Sequence, residues 1–200
     1  MYDLPLCGTE INVKKVYILL SRTNTLPSRM IHSVTGGKFT HTSIAIHPQT
    51  DEFYSYARRK LHNILNGGLI VENTHSMIFA KYPDCPCAIY SLSVSDAAYD
   101  DIQNQIAYYM KNYKKCKYNF LGCVQTFLKI RSKPRFRFTC SQFVGHLLEH
   151  SGAVQLPCDS SIITPNDFIG IPGMKLVYSG TIGNCDFPES EKKDHSAATA

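Results

Sequence analysis

Residues 137–152 read RFTCSQFVGHLLEHSG, and this stretch has the signals of a strand end running into a short helix. Thr139 is a good N-cap, and Gln142 three residues on completes a capping box. Gly152 supplies a stop in the left-handed conformation just past the helix. Between these limits Phe143, Val144, Leu147 and Leu148 form one apolar face. Cys140 then falls at the first helical position, where unsatisfied backbone N–H groups and the positive end of the helix dipole favour a thiolate. The same N–H groups can stabilise an oxyanion formed when that thiolate attacks a carbonyl. The competing possibility is a buried structural cysteine, since free Cys is among the most buried residue types. The stretch alone leaves both open.

A thiolate nucleophile needs a base, and the helix supplies none in register. His146 lies six residues on, about 240° round the helix, and His150 is roughly 15 Å further along the axis. Both are expected to be solvated surface histidines. The partner must come from elsewhere.

Two hundred residues are enough for one domain with a real core. A hydrophobic share of 44% and a charged share of 18% belong to a globular chain rather than a disordered one. Of the 21 basic residues behind the net charge of +5, many lie between Lys111 and Arg137, interleaved with Tyr113, Tyr118, Phe120, Phe127 and Phe136. No nucleic-acid motif accompanies them. A specific nucleic-acid partner is therefore not expected; a solvated face next to a core is the preferred reading, with a weak pull on anionic substrates or membrane surfaces left open. The eight cysteines follow no apolar leader and no membrane-length run, so reduced thiols in a cytoplasmic protein are expected. Cys85-Pro86-Cys87 lacks a second pair at zinc spacing. Neither a metal nor a cofactor is expected.

Along the chain, Val13–Ser21 reads as a strand. Asn24–Gly37 is irregular, with a short helix around Ser28–Val34. Phe39–His47 alternates: Thr40, Thr42, Ile44 and Ile46 point one way, and His41, Ser43, Ala45 and His47 the other. The small residues of the second set would let a helix lie close, with His41 at the edge of that contact. After a turn at Pro48–Asp51, Phe53–Ala57 returns as the antiparallel partner. Gly67-Gly68 leads into Leu69–Glu72, and Cys87–Val94 is another strand. A helix capped by Ser95 runs from about Ala97 to Tyr113, with Ile102, Ile106 and Tyr109 or Met110 inward. A second helix covers Tyr118–Lys129, broken by Lys133-Pro134. Thr164-Pro165-Asn166-Asp167 opens one more helical turn before the strand Met174–Ser179. The expectation is a single α+β domain over residues 1–188, with a disordered tail at 189–200.

Three stretches together resemble a known group. Phe39–Ile46 (FTHTSIAI) resembles the histidine strand of the circularly permuted NlpC-type papain-like cysteine hydrolases, the YiiX-like branch. Phe138–Val144 (FTCSQFV), with Leu147, Leu148 and Gly152 in register, resembles their cysteine helix. Thr164–Phe168 (TPNDF) resembles the segment that follows. In papain the cysteine precedes the histidine, whereas here it follows, as the permuted branch implies. The resemblance implies a papain-like antiparallel sheet packed against the helix that carries the nucleophile. It also implies that Cys140 is the nucleophile and His41 the general base. The family has an acid or other polar residue on the strand after the histidine. Here the hairpin offers Tyr56 or a neighbour, and Asp51 and Glu52 lie in the turn, away from His41. Glu72 is the preferred substitute, ending the next strand after a Gly-Gly that permits close approach. Tyr56, a backbone carbonyl or a water remain alternatives.

The leading function is thus a cysteine hydrolase, peptidase- or amidase-like, cleaving an amide, ester or thioester through an acyl-enzyme on Cys140. Its substrate would be a peptide or an acyl group. A lipid acyltransferase or thioesterase, as in the related lecithin–retinol acyltransferase-like proteins, uses the same chemistry. A non-catalytic binding module on the same fold is the alternative from another class, and thiolate reactivity separates them.

Overall fold

The computed structural model describes residues 14–23, 28, 32, 36–60, 63–132 and 135–185. Most of the short helix expected around Ser28–Val34, Lys133-Pro134 and the expected tail at 189–200 lie outside the described residues.

The protein is α+β. Strand β1 (Lys14–Ser21) is followed by β2 (His41–Ala45), β3 (Phe53–Lys60) and β4 (Asn63–Glu72). Next come α1 (Met77–Lys81), β5 (Pro86–Val94) and α2 (Asp96–Lys111). The short β6 (Lys117–Tyr118) precedes α3 (Phe120–Phe127), and β7 (Arg137–Phe138) precedes α4 (Cys140–His150). Strand β8 (Met174–Thr181) follows a 3-10 turn at Pro165–Gly170. The main sheet runs β4-β3-β2-β1-β5-β8, every pairing antiparallel, while β6 and β7 form a separate parallel pair.

Strand β1 lies at the centre, and its run of aliphatic residues serves both faces. Val16, Ile18 and Leu20 pack on one side with Ile102 and Ile106 of α2 and Phe143, Val144 and Leu147 of α4. Tyr17 and Leu19 pack on the other with Phe53, Phe79 of α1 and Ile182. Burying such side chains stabilises by about 1.5–3 kcal/mol each. Tyr109, not Met110, turns inward from α2.

The side of β2 that meets α4 differs from the expected one. Ile44 and Ile46 share a cluster with α4, whereas the small residue Ala45 faces Tyr17, Leu19 and Phe53. Strand β2 is also shorter than the alternation predicts. The backbone N–H and C=O of Phe39 bond to Oδ1 and Nδ2 of Asn166, at 3.0 and 2.9 Å, instead of continuing the ladder. His41 consequently opens the strand, opposite Ser21.

Candidate active site

The site is built from the start of α4. The expected capping box is present: Thr139 Oγ1 accepts the Gln142 N–H at 3.2 Å, and Gln142 Oε1 accepts the Thr139 N–H at 3.0 Å. The next two side chains tie this end of the helix to a distant loop. Ser141 Oγ donates to the Ile163 carbonyl and Gln142 Nε2 to the Ser161 carbonyl, each at 2.7 Å. Cys140 remains at the first helical position, where its backbone N–H has no intrahelical acceptor. Gly152, at φ +67°, ends the helix as expected.

His41 meets Cys140 here. Its Nε2 lies 2.7 Å from Glu72 Oε1, and its ring lies beside Cys140. With Nε2 held by the carboxylate, Nδ1 is the nitrogen left for the sulfur. The His41 side chain is 17% exposed and that of Glu72 only 6%. Burial alone disfavours the imidazolium. The Glu72 carboxylate and the contacts with Cys140 outweigh it and raise the His41 pKa well above 6.5. Cys140, His41 and Glu72 are therefore brought together.

Tyr56 is placed elsewhere. Its ring packs on Phe138 and Phe143, with centroids 5.4 and 4.9 Å away, and its phenol lies beside the Cys116 thiol. Burial pushes that phenol strongly upward. Gly67-Gly68 also does a different job from the expected one. A Cβ on Gly67 would lie 2.6 Å from Tyr118 Cβ, and one on Gly68 would collide with the Cys116 carbonyl. The pair thus admits the chain around β6 rather than bringing Glu72 to His41.

That crossing delivers Tyr118, which the sequence places at a helix entrance. Tyr118 pairs with Phe138 across β6 and β7, and its hydroxyl lies 3.7 Å from Cys123 Sγ. Burial raises the Tyr118 phenol, helped by the nearby sulfurs of Cys140 and Cys123. A two-residue strand is too short to show a period in sequence, so no pattern announces it. Helix α3 accordingly begins at Phe120, and it stops well before Pro134. Lys129 takes φ +55° and Ile130 N–H bonds back to the Gln125 carbonyl at 2.8 Å.

His146 departs from expectation as well. It is half-buried, with its ring 5.2 Å from that of Phe138 and Nε2 3.1 Å from the Tyr109 hydroxyl. Burial, then the neighbouring His150, lowers its pKa to about 4.

A cleft of about 640 Å³ opens beside Cys140. Its walls are mainly apolar and include Phe39, Tyr118, Val124, Phe127, Ile162 and Pro165. Among the described residues no group of three His, Cys, Asp or Glu side chains is arranged to hold a metal ion. The described cysteines are free thiols, and no described helix is long and apolar enough to cross a membrane. Neither a family model nor a curated protein matches the chain.

Proposed function

We propose that the protein is a papain-like, circularly permuted cysteine hydrolase that cleaves an amide, ester or thioester through an acyl-enzyme on Cys140. The observation that carries this reading is the linked set of Cys140, His41 and Glu72 at a helix N-terminus. A helix-start cysteine, a histidine touching it and a buried carboxylate behind the ring are the parts that nucleophilic catalysis requires.

In the first half-reaction the Cys140 thiolate attacks the carbonyl carbon, and the carbonyl electron pair moves onto oxygen. The free backbone N–H groups at the start of α4 supply donors for that oxyanion, and Tyr118 lines the same cleft. As the tetrahedral species collapses, the bond to the leaving group breaks and the His41 imidazolium gives that group its proton. In the second half, His41 takes a proton from water, the resulting hydroxide attacks the thioester, and Cys140 leaves as thiolate. Glu72 holds the ring orientation and stabilises its charged form throughout. The apolar cleft favours an acyl chain or an apolar peptide side chain over a charged one.

Trapping the acyl-enzyme tests this. The full chain is mixed with p-nitrophenyl acyl esters of increasing length and with peptide thioesters, and intact mass is followed over time. The expected result is an acyl adduct on the peptide containing Cys140, turning over in the wild type and absent in Cys140→Ala and His41→Ala. Acylation that is unchanged in His41→Ala, or found only on other cysteines, contradicts the reading.

A further inference from the structure

Helix α3 is built inside out. At about 100° per residue, Phe120, Leu121, Val124, Phe127 and Leu128 fall within an arc of about 120°. All five are exposed, Leu121 to 65% and Leu128 to 57%, and Ile130 follows in the same state. The inward side carries Gly122 and Thr126. A Cβ on Gly122 would lie 3.0 Å from Gln142 Oε1, and Gln142 Nε2 donates to Thr126 Oγ1 at 3.4 Å. The small, polar side therefore packs on the protein and the apolar side faces solvent, the reverse of an ordinary surface helix.

The segment that carries this helix is strongly basic, with Arg131 lying 3.9 Å from Asp159 Oδ2 and Asp167 lining the adjoining cleft. From Lys111 to Arg137 the sequence holds nine Lys and Arg and no Asp or Glu, while the rest has twelve bases against sixteen acids. Lys117, Lys129, Arg131, Arg135 and Arg137 are exposed. We infer that this face docks on an anionic phospholipid bilayer, with α3 lying in the interfacial plane and the surrounding cations on the headgroups. A helix with a broad apolar face and a basic surround is what such an interface holds.

Two other occupants fit less well. A second copy meeting this face through a two-fold axis would set two strongly basic surfaces against each other. Nucleic acid would satisfy the cations and could stack on the aromatic rings, but leaves Leu121, Val124, Leu128 and Ile130 exposed to water. Val124 and Phe127 also line the cleft beside Cys140, so the docked protein has that cleft at the bilayer surface. The inference goes beyond the hydrolase reading and does not require it: Cys140→Ala docks as well as the wild type.

Co-flotation of the full chain with phosphatidylcholine vesicles, with and without about 30 mol % phosphatidylserine, tests the inference. Binding is expected only to the anionic vesicles, weakening as salt rises. The double variant Leu121→Gln/Leu128→Gln should lose at least about tenfold in partitioning. Lys117→Gln/Lys129→Gln should lose severalfold, and melting temperatures would show that both variants still fold. Four results would overturn it: no flotation with anionic vesicles, equal flotation with neutral ones, a dimer that depends on Leu121 and Leu128, or RNA binding without vesicle binding.

Discussion

At His41 two opposed effects meet, and the sign of their difference is testable. Burial removes the imidazolium from water, while Glu72 at 2.7 Å and the contact with Cys140 keep it charged. The folded pKa stands above the unfolded value near 6.5. The stabilisation from this charge is therefore complete below that value and is lost as pH rises through the folded pKa. Removing the carboxylate in Glu72→Gln should lower the His41 titration midpoint followed by ring NMR. It should also move the alkaline limb of turnover to lower pH, since His41 must hold a proton for the leaving group. Tyr56→Phe should leave that midpoint where it is, because the Tyr56 phenol stands beside Cys116 instead. His146 has the opposite sign. The unfolded chain takes its proton near 6.5 and the folded one only near 4, so stability is lost as pH falls across that interval. The full interval corresponds to about 3 kcal/mol, and solvent screening of this half-buried ring reduces the loss to roughly 2 kcal/mol. His146→Gln keeps an acceptor for the Tyr109 hydroxyl but cannot titrate, and its urea midpoint should fall less between those pH values.

The elements divide according to how far away their causes lie. The caps of α4 were legible because Thr139, Gln142 and Gly152 act on backbone only a few residues off. The alternation around His41 places a strand correctly but overruns both of its ends, since the strand runs only from His41 to Ala45. What stops β2 is the Asn166 side chain, 127 residues away, occupying the Phe39 backbone. Likewise the hydrophobic stripe of α4 was readable, yet His146 looked like a surface residue because the rings of Tyr109 and Phe138 reach it only in the fold. Glu72 is legible as a strand-end carboxylate, but Gly67 and Gly68 make room for β6 and do not bring Glu72 to His41. Two substitutions probe these supports. A Cβ at Gly145 would lie 2.9 Å from Ile163 Cγ2 and 3.3 Å from Ser160 Cβ. Gly145→Ala should therefore destabilise by about 1–3 kcal/mol in urea, despite the roughly 1 kcal/mol by which Ala outranks Gly in a helix. Asn166→Ala frees the chain before His41. It should slow acyl transfer severalfold at a cost of about 1–2 kcal/mol in stability.

Across the whole molecule, the site, its cleft and the inverted helix α3 adjoin one another. The cysteine helix is fixed by buried polar bonds to residues 161 and 163, and the far wall of its cleft belongs to α3. The central claim is that reactivity and exposure part company among the thiols. Cys140 is only 5% exposed, whereas Cys123 and Cys158 are more open. Burial nevertheless raises the pKa of Cys123 and Cys158, and that of Cys85 to about 11, whereas Cys140 has the His41 ring beside it. The direct measurement is the alkylation rate of each cysteine in the native chain near neutral pH, read by peptide mass spectrometry. Cys140 should react first, and His41→Ala should slow it at least about tenfold without changing the order of the others. If Cys123 or Cys158 reacts first, or Cys140 reacts only after denaturation, Cys140 is a core thiol and the assignment is wrong.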